Sequence, residues 1–130
     1  MSTETDWQSI WEELKTNLDH LPKCPLHSNY PCISTLVKRS LNDIIEVSSH
    51  HTIVRSHKPK NGILKNSTLS EGVFRTWWEH LHTFGSATFK TGNKNNPVSY
   101  RSSVVAAIFV KGLPQKIRQV NNSDLIELIR

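Results

Sequence analysis

Residues 70–85, SEGVFRTWWEHLHTFG, constrain the fold more than any other stretch of this 130-residue chain. Val73, Phe74, Trp77, Leu81 and Phe84 recur at helical spacing, which predicts a central helix with one broad apolar face. Thr68 and Glu71 stand at capping-box spacing, and Gly85 suits the left-handed residue that ends a helix. A face carrying this much aromatic area must be covered, so the rest of the chain is read for what can cover it.

The first candidate is a helix over about Asp6 to Leu21, on which Trp7, Ile10, Trp11, Leu14, Leu18 and Leu21 form one stripe. Thr5 and Gln8 have capping-box spacing, and Pro22 prevents continuation. The stripe could dock on the core or form a dimer seam; docking is the simpler account, because a domain this small needs the area. The loop that follows contains Cys24 and His27, and with His20 and Cys32 these make a candidate zinc set, although the spacing from His27 to Cys32 follows no zinc-finger pattern. The competing reading is a solvent loop with one buried thiol, and no metal or other cofactor is assigned.

From Cys32 to about Ser56 the pattern turns β-rich. Ile33, Thr35 and Val37 alternate with Ser34, Leu36 and Lys38, Ile44 to Val47 is a second run, and Thr52 to Arg55 a third. Ser48 to His51 is the expected turn between the last two. His50 and His51 point apart in such a turn, so they read as solvated side chains rather than a shared metal site. A basic connection over residues 56–66 leads to the central helix, with Ile63 and Leu64 as a candidate short strand.

Beyond Gly85, residues 86–90 are short and mixed and 91–97 read as a loop. A third helix is expected from Ser99 or Tyr100 to Lys111, with Val104, Val105, Ile108 and Phe109 inward and Ala106 and Ala107 permitting close packing. Gly112, Leu113 and Pro114 stop it. Lys116 to Val120, a turn, and Leu125 to Ile129 then form a hairpin. Together these predict one α+β domain: an acidic N-terminal helix over 1–22, a small antiparallel sheet within a β-rich segment over 32–66, and a winged-helix-like half with a terminal hairpin over 68–130.

Charge separates along the chain. Residues 1–20 hold five acids and one lysine, a net of −4, whereas the remainder holds fifteen Lys and Arg against six acids, a net of +9. Such a body favours a polyanionic partner, since Lys and Arg replace counterions condensed on phosphate, although ordinary solvated surface gives the same composition. Arg101, Ser102 and Ser103 fall in the first turn of the third helix and offer donors to phosphates or base edges. Lys116 and Arg118 lie on the hairpin, while Arg55, Lys58 and Lys60 could add phosphate contacts. The bland reading of the same residues is first-turn polarity, local ion pairs and a hairpin that closes the core.

The run TLVKRSLNDIIEVSSHHTIVRS, the Trp-containing helix ending HTFGSATF, and YRSSVVAAIFVKGLP with a terminal strand resemble small winged-helix-like modules that accompany bacterial restriction and other DNA-handling enzymes. The resemblance covers about Ile33 to Arg130 and implies an accessory domain that positions a larger enzyme partner on DNA. An enzyme is not expected: pairs such as Asp43 with Glu46 and Asp124 with Glu127 lack the accompanying lysine of a metal-dependent nuclease, and no Cys/His nucleophile arrangement or Gly-rich phosphate loop occurs. The alternative is a protein-binding adaptor or inhibitor acting through an exposed patch of Trp78 with Trp7 or Trp11 and the acidic helix. The longest apolar run, Val104 to Val110, is too short to span a bilayer, no secretory signal opens the chain, and two cysteines do not suggest a disulfide scaffold, so a cytoplasmic protein without membrane contact is expected.

Overall fold

A computed structural model describes residues 3–23, 29–57 and 64–129, with the side chains of the first helix described from Trp7 onward. The elements follow in the order α1 (Thr3–Asp19), β1 (Cys32–Ser34), β2 (Leu41–Val47), β3 (His51–Ser56), β4 (Asn66–Ser70), α2 (Glu71–Phe84), β5 (Ser86–Thr88), α3 (Ser102–Gly112), β6 (Ile117–Gln119) and β7 (Leu125–Leu128). The protein is α+β. One sheet is an antiparallel meander in the order β1-β2-β3-β4; the other has three antiparallel strands in the order β5-β7-β6.

α2 forms the expected central helix. Phe74, Trp77, Trp78 and Leu81 are buried along it, and Gly85 closes it at φ 81°, with its amide bonded to the Leu81 carbonyl. Two details differ from expectation. The N-cap is Ser70 rather than Thr68, with no side-chain cap bond, because Thr68 is drawn into β4 opposite Ile53; Glu71 instead accepts the Trp7 indole N–H at 3.3 Å. Phe84 is 67% exposed, since the chain leaves the helix at Gly85 before the packed face continues, and its ring lies on His80.

α1 docks on the core, as its stripe requires. Trp7, Trp11, Leu14 and Leu18 are almost wholly buried, and Trp11 donates its indole N–H to the Ser49 carbonyl at 3.1 Å, fastening α1 to the β2–β3 turn. The helix begins before the expected Thr5 cap and ends at Asp19, two residues short of Leu21. Aromatic contacts run from one helix to the next: Trp7 stacks on Trp11 with centroids 5.6 Å apart, Trp11 meets Phe74 at 5.4 Å, and Phe74 meets Phe109 edge-on at 5.9 Å. Trp78 is also buried, so these three tryptophans form no exposed patch of the kind expected of an adaptor.

α3 starts at Ser102, two or three residues later than expected, and contacts α1, β1 of one sheet and β6 of the other. Val104 through Phe109 are all buried, which places this helix at the centre of the molecule. In the meander, Ile33, Ile44, Val54 and Leu69 face the core. The strand expected through Lys38 stops at Ser34, because Thr35 to Ser40 fold into a turn closed by Thr35 N–H to the Ser40 carbonyl at 3.0 Å and Ser40 N–H to Thr35 Oγ1 at 2.9 Å. Ile63 lies outside the described residues and Leu64 in irregular chain; the strand before α2 begins at Asn66. Among the described residues, no helix is long and apolar enough to cross a membrane.

Candidate nucleic-acid interface

Three segments distant in sequence meet at the start of α3. Phe89 N–H and the Thr88 hydroxyl both donate to the Asp124 carbonyl at 2.9 Å, which ties the chain after β5 to the β6–β7 turn. Ser102 donates its hydroxyl to the Phe89 carbonyl at 3.0 Å, which ties the same segment to α3. The Thr35–Ser40 turn completes the enclosure. Between them lies an open cleft of about 300 Å³ lined by Thr35, Val37, Lys38, Ser40, Phe89, Lys90, Thr91, Ser103 and Asp124.

Backbone geometry marks the same region. The non-glycine residues with positive φ among those described are Arg39 at 54°, Arg101 at 51° and Asn121 at 53°, one in each of the three connections that surround the cleft. Asn tolerates this conformation in a turn, whereas for arginine it costs on the order of 1–2 kcal/mol, held in place here by the surrounding bonds. At Arg101 the conformation serves the helix start: its carbonyl accepts Val104 N–H and Val105 N–H, each at 3.0 Å. The guanidinium lies over the Tyr100 ring at 5.9 Å.

Positive charge predominates in this region among the described residues. Lys38, Arg39, Lys90 and Arg101 are exposed, and none of them has a carboxylate partner among the described residues. Among those residues, Asp124 is the one acid lining the cleft. Elsewhere the pattern is mixed: Arg75 pairs with Glu79 at 3.2 Å and Lys15 with Glu12 at 2.8 Å, whereas Lys65, Lys94 and Lys111 have no carboxylate partner among the described residues.

The residues singled out in the sequence are dispersed over separate places. Ser103 lines the cleft and Arg101 precedes it at the N-cap of α3, but Ser102 is buried and committed to Phe89, so it is a structural residue and not a contact. Lys116 lies beyond the other end of α3, about 16 Å along an eleven-residue helix, where Glu13 of the acidic helix pairs with it at 3.5 Å. It borders a second cavity of about 580 Å³ with Ile10, Trp78 and His82. Arg118 is held by Glu127 across the hairpin at 2.7 Å. Arg55 sits on the outer face of the meander with Asp43 at 3.1 Å and the Tyr30 ring at 5.8 Å. Lys58 and Lys60 lie outside the described residues.

Sequence reasoning misses Lys38, Arg39 and Lys90. The adjacent pair Lys38-Arg39 is visible, yet alternation carries a strand through it, and nothing local announces that it meets a segment fifty residues on. The zinc set is not assembled among the described residues: His20 Nδ1 bonds the Thr16 carbonyl at 2.7 Å, Cys32 is disulfide-bonded, and Cys24 and His27 lie outside the described residues. Cys32 is thus cross-linked and half-buried, where the competing reading expected one buried thiol. No protein-family model, curated protein or solved structure matches this chain.

Proposed function

We propose that the protein is a non-catalytic nucleic-acid-binding module, with double-stranded DNA as the favoured partner. The observation that carries this reading is the pair of cations Lys38 and Lys90 lining a cleft beside the first turn of α3, with Arg39 and Arg101 next to lining residues or in the connection leading to them, all four without a carboxylate partner among the described residues. Cations presented from neighbouring turns suit a phosphate backbone, where each neutralised phosphate releases condensed counterion. Ser103, exposed in the first turn of α3, adds a hydroxyl.

The order α2, β5, α3, β6, β7 with sheet order β5-β7-β6 supports reading this half as a winged-helix-like variant without a middle helix, the span from Lys90 to Arg101 taking that place. The usual groove helix is here sunk in the core, so binding would use its first turn and the loops around it. Such an interface grips backbone and reads few base edges, which favours a positioning role beside a larger enzyme partner in a restriction or defence setting.

The test is a salt titration of binding to a labelled duplex, with single-stranded DNA and RNA alongside. Binding should weaken steeply with salt, and Lys38→Ala with Lys90→Ala should flatten the slope by about 2 on the logarithmic scale, near 0.9 for each phosphate no longer neutralised. Absence of binding at low salt overturns the reading.

A further inference from the structure

We propose that the outer face of the meander carries a thiol-gated site for a zinc-like divalent cation, built from Cys32, Asp43 and His57. Register creates the arrangement. Cys32 pairs directly with Asp43, and Asp43 with Arg55, so three neighbouring strands set these side chains in one row on one face. His57 follows Arg55 by two residues and therefore shares its face, and its amide is fixed to the Leu41 carbonyl at 3.0 Å.

The ligand atoms of Cys32, Asp43 and His57 all lie within 4.8 Å of one another. Around a tetrahedral zinc with bonds of about 2.0–2.3 Å, ligand atoms stand roughly 3.3–3.8 Å apart, so closure needs shifts of about 1 Å. Sulfur, imidazole nitrogen and carboxylate oxygen together suit zinc better than magnesium or calcium. Asp43 is the buried carboxylate among the described residues, its side chain 4% exposed. Arg55 Nη2 holds its Oδ2 at 3.1 Å, while Oδ1 lies 2.8 Å from His57 Nε2. Arg55 thus orients the carboxylate from behind, as outer partners of metal ligands do, and leaves Oδ1 and Nε2 converging beside the sulfur. A fourth position is left for water or an exogenous ligand.

Cys32 is disulfide-bonded, and a disulfide sulfur is no substitute for a thiolate ligand. A dithiol reductant opens the gate. The sulfur–sulfur bond breaks, two electrons pass from the dithiol, which closes to its own disulfide, and its two protons go to Cys32 and to the partner sulfur. The cation then displaces the proton of the Cys32 thiol, and His57 Nε2 exchanges its hydrogen bond with Asp43 for the metal.

The experiment is calorimetric titration of the full chain with zinc chloride, once oxidised and once after reduction by a phosphine that is then removed without air. The reduced protein should bind one zinc, the oxidised protein at least a hundredfold more weakly, and cobalt in place of zinc should give sulfur-to-metal charge-transfer absorption. His57→Gln and Asp43→Asn should each weaken binding at least tenfold, with circular dichroism checking the fold. If Asp43→Asn unfolds the protein, His57→Gln decides, because that side chain is partly exposed. Equal binding by the oxidised form overturns the proposal. So does reduced-state binding that survives His57→Gln, since the metal would then sit elsewhere, for example with His20 and His27.

Discussion

Gly112 and Leu14 meet where α3 passes under α1: a Cβ placed on Gly112 would lie 2.3 Å from Leu14 Cδ1 and 3.8 Å from Leu18 Cδ2. The Gly112 carbonyl also accepts the Asn17 side-chain amide at 2.6 Å, so the close approach is fixed from both sides. Leu14 is fully buried, which leaves its side chain little room to yield. Gly112→Ala should therefore destabilise the protein by about 1–3 kcal/mol through overpacking, measured as a lowered urea midpoint with unchanged slope. Pairing it with Leu14→Val should recover part of the loss.

The central helix offers a paired comparison. Phe74 is fully buried between Trp11 and Phe109, whereas Phe84, on the same sequence stripe, is exposed. Phe74→Ala should cost about 3–5 kcal/mol and Phe84→Ala less than about 0.5, read from thermal or urea unfolding.

Ser102 separates structure from binding. Its hydroxyl bonds the Phe89 carbonyl in the interior, so Ser102→Ala should cost about 1 kcal/mol of stability while leaving duplex affinity unchanged at temperatures where the variant is folded. Loss of affinity in the folded variant would place the hydroxyl on the ligand instead.

For the proposed interface, Lys38→Ala, Lys90→Ala and Arg101→Ala should each weaken duplex binding and lower its salt dependence. Lys116→Ala and Arg118→Ala should do neither, since those cations already face Glu13 and Glu127. Gel-shift or fluorescence titration at two salt concentrations distinguishes the sets, and equal effects from both would remove the special standing of the cleft.

Asp43 pairs with Arg55 and His57, which are themselves partly exposed. Asp43→Ala should destabilise by about 2–3 kcal/mol, below the loss for a fully buried pair because water can reach both cations. Chemical denaturation of the oxidised protein measures this without the metal question.

Much of the fold is legible in the sequence because its signals are local. The stripe on α2, the stop at Gly85, the buried run of α3, the β2–β3 turn and the terminal hairpin all follow from period and turn chemistry. β4 escapes because its Ser and Thr read as cap residues; only pairing with β3 reveals that Ser67 and Leu69 alternate inward. Three-residue β5 carries too little pattern to announce a strand. The cleft is hardly legible at all. Arg101 and Ser103 can be found at a helix start, but Lys38 and Lys90 come together through tertiary contacts between turns, and ion pairs such as Arg118 with Glu127 are invisible until the hairpin register is known.

The strand order β5-β7-β6 places the last-made strand in the middle of its sheet. On the ribosome, β5 and β6 therefore emerge with no ladder to join, and the second sheet cannot begin to assemble until Leu125–Leu128 has cleared the exit tunnel. The meander, built from neighbours in sequence, has no such wait. Synthesis thus yields a nascent chain with one sheet able to form and the other held back, and the apolar face of α2 that meets β5 and β7 stays open to chaperones for that interval.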